Sequence, residues 1–287
     1  MRTPSNVEPS AITHLSPSAR MRAKFFRELV ALGLPQGHGG SAPVTESDLA
    51  LLPAPAQRYM RFMGVVGRPR DWSFCARWDG RFRMGPDKPW MPCEAWQYDS
   101  SVEIARVFHM RVRFGGVVPT YVRDLYVDGG GHMVGKLFDK ISIVDDKSQK
   151  VTIGELVTYV NDALMFAPSM LLRPTTLWSP VDEGSFDVTV SDHGTTVTAR
   201  AIIDADGAMN DFVTTDRFGE EPKNRKAGMV RAKWTTPVDG WTIVNGRPRP
   251  TESRAVWHYP SGDFCYAELT TDKMDLAFNV PPGSCVS

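Results

Sequence analysis

The sequence predicts an α+β fold that is mainly β: a large curved antiparallel sheet, half-barrel or barrel-like, with one central helix and N-terminal helices. Apolar residues at helical spacing are confined to the first part of the chain and to one central segment. From about residue 70 the apolar residues alternate with a period of two, and turn signals containing glycine recur between the alternating runs. Strands joined by such short turns must pair antiparallel.

The N-terminal part is predicted to be helical. Residues 1–15 have the composition of a disordered lead-in, and residues 16–69 are expected to form helices that pack on the sheet. Ser16 followed by Pro17 is a start signal for the first helix. Thr45, with an aspartate three residues later, resembles a capping box that starts a second helical segment.

Residues 70–287 are predicted to form a single curved antiparallel domain, interrupted by a central helix over residues 153–171. The expected tight turns are Asp79-Gly80, Asp128-Gly129, His193-Gly194, Asp206-Gly207 and Ser261-Gly262. A long sheet tends to curl, and a helix inserted midway must bury its apolar stripe on a sheet face. A helix lying across the mouth of a curled sheet encloses a cavity.

Three side chains on the central helix are candidate catalytic groups. Glu155, Tyr159 and Asp162 follow one another at spacings of four and three, which stacks them along one stripe. If the stripe faces the cavity, burial raises the pKa of a carboxyl group toward neutrality and makes it a usable general acid or base. The alternative is a solvated edge of an amphipathic helix.

A strand in the first half of the sheet carries candidate substrate-binding residues. Glu94, Trp96 and Tyr98 share one face of this strand. A carboxylate between two aromatic rings suits the polar group of an apolar ligand. The alternative is an outer face of the sheet with a paired glutamate.

Further binding candidates are an arginine and two tryptophans. Arg123 and Asp124 are adjacent in a strand, so their side chains point to opposite faces. Arg123 could hold a carboxylate or enolate in the cavity, or could tie the sheet to an acid of the central helix. Trp178 and Trp257 are two of eight tryptophans spread along the chain, and some of these rings should line the cavity.

The composition excludes several classes of partner. Lys plus Arg equals Asp plus Glu at 33 each, so no overall field favours nucleic acid. The four cysteines form no CxxC pair, and neither a metal nor a cofactor is predicted. The N-terminus lacks the apolar run of a signal peptide, and no uninterrupted apolar run of about 18 residues occurs. We therefore expect no stable membrane insertion, a cytoplasmic location and reduced thiols.

Several segments resemble a widespread bacterial family of unknown function. They are LPAPAQRYMRFMGVVGRP at 52–69, GRFRMGPDKPWMPCEAWQY at 80–98, RDLYVDGGGHMVGKL at 123–137, GELVTYVNDALMFAPSML at 154–171 and WHYPSGDFCY at 257–266. The resemblance implies a curved sheet similar in shape to periplasmic lipoprotein carriers. It also places the family's Glu, Tyr, Glu pattern on Glu155, Tyr159 and Asp162. Many members look membrane-anchored by an N-terminal apolar helix, whereas residues 1–44 here are polar and amphipathic.

Two functions follow as hypotheses. The first is a cofactor-independent enzyme that cyclises, isomerises or eliminates a group from a polyketide- or terpenoid-like intermediate. It would confine a hydrophobic substrate and move protons through the helix acids. The alternative is a non-catalytic carrier of a lipid or another hydrophobic ligand. The predicted cytoplasmic location favours the enzyme, and a homodimer is left open.

Overall fold

The computed structural model describes residues 16–37, 42–114, 118–137 and 141–285. The lead-in predicted for residues 1–15 lies outside the described residues, and the predicted boundary near residue 70 stays a prediction. The helices are α1 (Pro17–Leu32), α2 (Glu46–Leu49), α3 (Ala54–Phe62) and α4 (Gln149–Phe166). The strands before α4 are β1 (Ser73–Phe82), β2 (Met91–Ser100), β3 (Ala105–Phe114), β4 (Val118–Val127), β5 (Gly130–Leu137) and β6 (Ile141–Asp146). Those after it are β7 (Thr176–Asp182), β8 (Ser185–Asp192), β9 (Thr195–Ile203), β10 (Met209–Thr214), β11 (Phe218–Glu220), β12 (Met229–Arg231), β13 (Lys233–Thr235), β14 (Val238–Val244), β15 (Arg247–Tyr259) and β16 (Gly262–Phe278).

Over the described residues, fourteen strands form one antiparallel sheet, which confirms the predicted fold class. The order is β6-β5-β4-β3-β2-β1-β16-β15-β13-β10-β9-β8-β7, with β14 paired to β15. Strands β11 and β12 form a separate small pair. Each half of the chain therefore builds one half of the sheet, and the last strand, β16, joins them by pairing with β1.

Helix α4 links the two edge strands, β6 and β7, and so crosses the concave face of the sheet. It begins at Gln149, four residues before the predicted start, and Pro168 opens a short 3₁₀ helix after it. Nearly every residue from Val151 to Phe166 is buried. A helix that is buried on all sides is part of a core.

The predicted N-terminal signals of the helices are confirmed. The Ser16 hydroxyl accepts a hydrogen bond from the Ala19 amide at 3.3 Å, and Pro17 occupies the first position of α1. Thr45 and Asp48 form the reciprocal bonds of a capping box at α2. Helix α1 then packs on the convex face of the sheet, so the sheet is covered by α1 on one side and by α4 on the other.

One predicted turn is wrong. Asp79 and Gly80 lie inside the continuous strand β1, with a bulge between Arg77 and Asp79. A Cβ atom at Gly80 would lie 2.4 Å from the carbonyl oxygen of Glu268 on β16. The glycine therefore permits close approach of two backbones and does not form a turn. The other expected turns join β4 to β5, β8 to β9, β9 to β10 and β15 to β16.

The prediction of reduced thiols is wrong for one pair. Cys75 on β1 and Cys285 form a disulfide with Cα atoms 5.4 Å apart. The bond fastens the C-terminal segment beside α1, where Cys285 is buried. Cys93 and Cys265 are free thiols.

Candidate functional site

A cavity of about 590 Å³ lies between the concave face of the sheet and α4. Among the described residues, its wall includes ten aromatic rings, three of them the tryptophans Trp78, Trp234 and Trp257. Six methionines share the wall: Met84, Met91, Met110, Met133, Met165 and Met229. Small residues leave the space open, since Ala255 and Ala267 face each other across β15 and β16. The size and the lining are those of a site for an apolar small molecule.

Arg106 on β3 is the centre of a buried charged network in this cavity. Its guanidinium donates to Glu155 Oε2 at 2.9 Å and to Asp162 Oδ2 at 2.8 Å. The side chains of Arg106 and Glu155 are each 5% exposed, and that of Asp162 is 11% exposed. The network therefore ties α4 to the beginning of strand β3 through charge-assisted hydrogen bonds that water barely reaches.

Polar side chains around Asp162 complete its hydrogen bonding. Gln97 Nε2 donates to Asp162 Oδ2 at 2.7 Å, and Asn161 Nδ2 donates to Asp162 Oδ1 at 3.2 Å. Thr236 in turn donates to Asn161 at 2.5 Å. With the bond from Arg106, both carboxylate oxygens of Asp162 have partners, as a buried carboxylate requires.

The network holds more carboxyl groups than cations, and this sets their protonation. Asp99, Asp124, Glu155 and Asp162 all interact electrostatically with Arg106. Burial, reinforced by the charge of Asp124, raises the pKa of Glu155 to about 8, although Arg106 opposes the shift. Burial likewise raises the pKa of Asp124 and holds that of Asp99 well above its ordinary value. Near neutral pH the cluster therefore keeps protons that the same groups would lose in water.

A second guanidinium, that of Arg217, lies in the cavity wall just before β11. It stacks on the ring of Trp234 at 4.0 Å and on that of Trp257 at 5.5 Å, measured to the ring centroids. The guanidinium also acts electrostatically on Asp124 and Glu155. The two rings hold the guanidinium against the aromatic wall.

The structure separates the three candidate catalytic residues. Glu155 and Asp162 line the cavity and meet at Arg106. Tyr159 is fully buried in the main hydrophobic core and is not among the residues of the cavity wall. Burial raises the pKa of its phenol, which keeps it protonated.

Of the binding candidates, Trp257 lines the cavity. Glu94, Trp96 and Tyr98 do share a face, but it is the convex one beneath α1. There Glu94 accepts hydrogen bonds from Ser18 at 2.7 Å and from Arg111 at 3.0 Å.

The two remaining binding candidates also lie away from the cavity. Arg123 is on the convex face, where its Nε donates to Glu28 of α1 at 2.8 Å. Trp178 on the edge strand β7 packs against Phe186, with ring centroids 5.6 Å apart. Neither side chain is part of the wall of the cavity beneath α4.

Sequence reasoning missed Arg106, Gln97 and Arg217. Arg106 lies two residues before Phe108 and so shares the apolar face of β3. The charge of Arg106 on this otherwise apolar face was the sequence signal that could have indicated its place in the site. Gln97 lies between Trp96 and Tyr98 in β2 and so points to the opposite face of the strand. A prediction that placed this opposite face toward the cavity would have included Gln97. Arg217 follows β10 in a connection without periodicity, and no sequence pattern indicates its role.

The chain belongs to a family of unknown function, DUF6544, whose sequence profile matches residues 42–269. This confirms the resemblance. A comparison with curated proteins gave no match. No helix among the described residues combines the length and the apolar character needed to cross a membrane.

Three solved structures resemble the fold at low identity. A DUF1329 family protein from Desulfovibrio piger is 10% identical, with 79% of this chain and 92% of that chain covered and a TM-score of 0.44. A proposed outer membrane lipoprotein-sorting protein domain from Vibrio parahaemolyticus is 11% identical, with 72% and 85% covered and a TM-score of 0.38. A LolA superfamily protein from Nitrosomonas europaea is 11% identical, with 82% and 92% covered and a TM-score of 0.35. Similarity at this level transfers no function.

Proposed function

We propose that the protein binds a hydrophobic small molecule or lipid in the cavity beneath α4, as a carrier or binding protein. The observation that carries the proposal is the cavity of about 590 Å³ with a wall rich in aromatic rings and methionines. Apolar surface of this extent is stabilised when a ligand displaces water from it. Methionine side chains are flexible and polarisable, so they adapt to ligands of different shape.

The buried charges are compatible with this role. Arg106, Glu155 and Asp162 satisfy one another at one side of the hollow. They therefore need no polar ligand of their own, and an apolar molecule can occupy the remaining space without leaving this ion cluster unpaired.

A neutral fluorescent ligand, N-phenyl-1-naphthylamine, tests the proposal. We expect its emission to increase on binding and to decrease when competing lipids displace it. Ala255→Trp places a large ring in the hollow and should abolish most of the signal. Val256→Trp is the matched control, because the neighbouring position is not part of the cavity wall. Absence of binding by the wild-type protein, or equal loss in both folded variants, would contradict the proposal.

Catalysis at Glu155 is a second candidate function. It is supported by a cavity carboxyl whose pKa burial raises to about 8, so that it can exchange a proton near neutral pH. The reaction would be the cyclisation, isomerisation or elimination predicted from the sequence. Turnover of a bound ligand that Glu155→Gln abolishes, with the fold intact, would establish it; unchanged turnover in that variant would exclude Glu155.

The proposal includes an oxidising compartment, in contrast to the cytoplasmic location expected from the sequence. The Cys75–Cys285 disulfide supports it, because disulfides persist in oxidising compartments. Alkylation of unfolded protein taken directly from cells, with and without reductant, decides between the two locations. Two reactive thiols without reductant support the oxidising compartment, and four support the cytoplasm.

A further inference from the structure

The cations in the cavity wall differ in whether the protein satisfies them. Arg106 is paired with Glu155 and Asp162, as described above. Arg83 donates to the carbonyl oxygens of Cys265 and Pro86, and Arg254 pairs with Asp239. Within the described part of the chain, the guanidinium of Arg217 has neither a hydrogen-bond acceptor nor an ion-pair partner, and its Nη1 atom is buried. Unsatisfied buried donors of this kind carry a free-energy penalty.

The surroundings of Arg217 hold the guanidinium ready for a planar acceptor. Its central carbon lies over the rings of Trp234 and Trp257, which satisfies the charge in part but leaves the N–H donors without acceptors among the described residues. A guanidinium offers a rigid fork of donors that matches the oxygens of a carboxylate or phosphate. Because the two rings already hold the Arg217 side chain in place, a ligand would lose little binding free energy in ordering it.

Asp124 provides a second unsatisfied group in the same wall. Its Oδ1 atom is buried without a hydrogen-bond partner among the described residues. Because burial raises the pKa of Asp124, the carboxyl is protonated more readily and can donate a hydrogen bond without repelling an anion. A ligand oxygen could accept from both groups.

We infer that Arg217 binds the oxyanion head group, carboxylate or phosphate, of an amphipathic ligand whose apolar body fills the rest of the cavity. The inference rests on the proposed function and specifies its ligand class. The aromatic rings and methionines of the wall contact the apolar body of this ligand, and Arg217 binds its head group.

Displacement of N-phenyl-1-naphthylamine by three ligands with the same alkyl chain tests the inference. They are dodecanoate, dodecyl phosphate and the neutral dodecanol. We expect at least one of the anions to bind about tenfold or more tightly than dodecanol, as a hydrogen bond to a charged group implies. The anion that binds more tightly identifies the source of the head group.

Variants then assign the preference to one residue. In Arg217→Met the anion and dodecanol should bind equally well, and Arg217→Lys, which keeps the charge but not the fork, should restore part of the preference. Arg225→Met, at an exposed arginine of the nearby 3₁₀ helix, should keep the wild-type preference.

The outcomes distinguish this inference from the proposed function. Dodecanol binding as tight as anion binding in the wild type, or a full anion preference in Arg217→Met, would overturn the role of Arg217 and leave a hydrophobic-ligand protein. Failure of the wild type to bind the fluorophore and all three ligands would overturn both.

Discussion

Replacing Arg106 by methionine removes the only side-chain hydrogen-bond partner that Glu155 has within the described residues and one of three donors to Asp162. Two charge-assisted hydrogen bonds of 2.9 and 2.8 Å are lost, at side chains that are 5% to 11% exposed. Breaking a buried pair from one side leaves an uncompensated charge and costs about 3–5 kcal/mol. We therefore expect the free energy of unfolding of Arg106→Met to fall by about this amount.

Urea denaturation followed by tryptophan fluorescence measures this change. The matched control is Arg200→Met, since Arg200 makes two bonds to Asp187, at 2.8 and 3.1 Å, but is 45% exposed. An exposed pair of this kind contributes about 0–1 kcal/mol. Adding Asp162→Asn to Arg106→Met should recover part of the loss, because it removes a buried acceptor that Arg106 no longer satisfies. A fall for Arg106→Met no larger than that of the control would refute the role given to the network.

Two further predictions concern stability. Because the pKa of Glu155 is raised from 4.5 to about 8, the folded chain holds more protons than the unfolded chain between these values, so this group's contribution to stability is full below pH 4.5 and is lost as the pH rises toward 8. Urea titrations across the interval should show a smaller decline for Glu155→Gln than for the wild type, and equal slopes would contradict the assignment. Cys285→Ser opens a loop of 210 residues and should destabilise the fold by about 2–5 kcal/mol, whereas Cys265→Ser, at a free thiol, should change it little; equal melting temperatures for the two variants would count against a structural disulfide.

The fold was predictable because its signals are local. Alternation with a period of two and turns such as Asp128-Gly129, where both residues have positive φ, determine antiparallel hairpins wherever they occur. Asp79-Gly80 has the same composition, but there the glycine is required by the close approach of Gly80 to Glu268 on β16, a strand near the end of the chain. A contact between residues so far apart in the chain cannot be predicted from the composition of a short segment.

The site was predictable only in part, for a geometric reason. With about 100° between successive helix residues, Glu155 and Asp162 lie about 20° apart around α4, while Tyr159 is offset from them by about 40–60°. On a helix with one exposed side, side chains with these small angular offsets would all face the same surroundings. Because α4 is buried on every side, these offsets are enough to place Tyr159 in the core and the two acids in the cavity.

The position of Arg106 explains why the hollow does not collapse. Glu155 and Asp162 lie two turns apart on α4, and one guanidinium on β3 binds both. Movement of the helix toward the sheet would break these bonds or force charged groups against the aromatic wall, and either costs several kcal/mol. The charged network therefore acts as a spacer of fixed length, and small residues such as Ala255 and Ala267 leave the volume beside it unfilled. The four buried carboxyl groups around Arg106 therefore keep a cavity open. Apolar side chains in the same place would pack together and fill it.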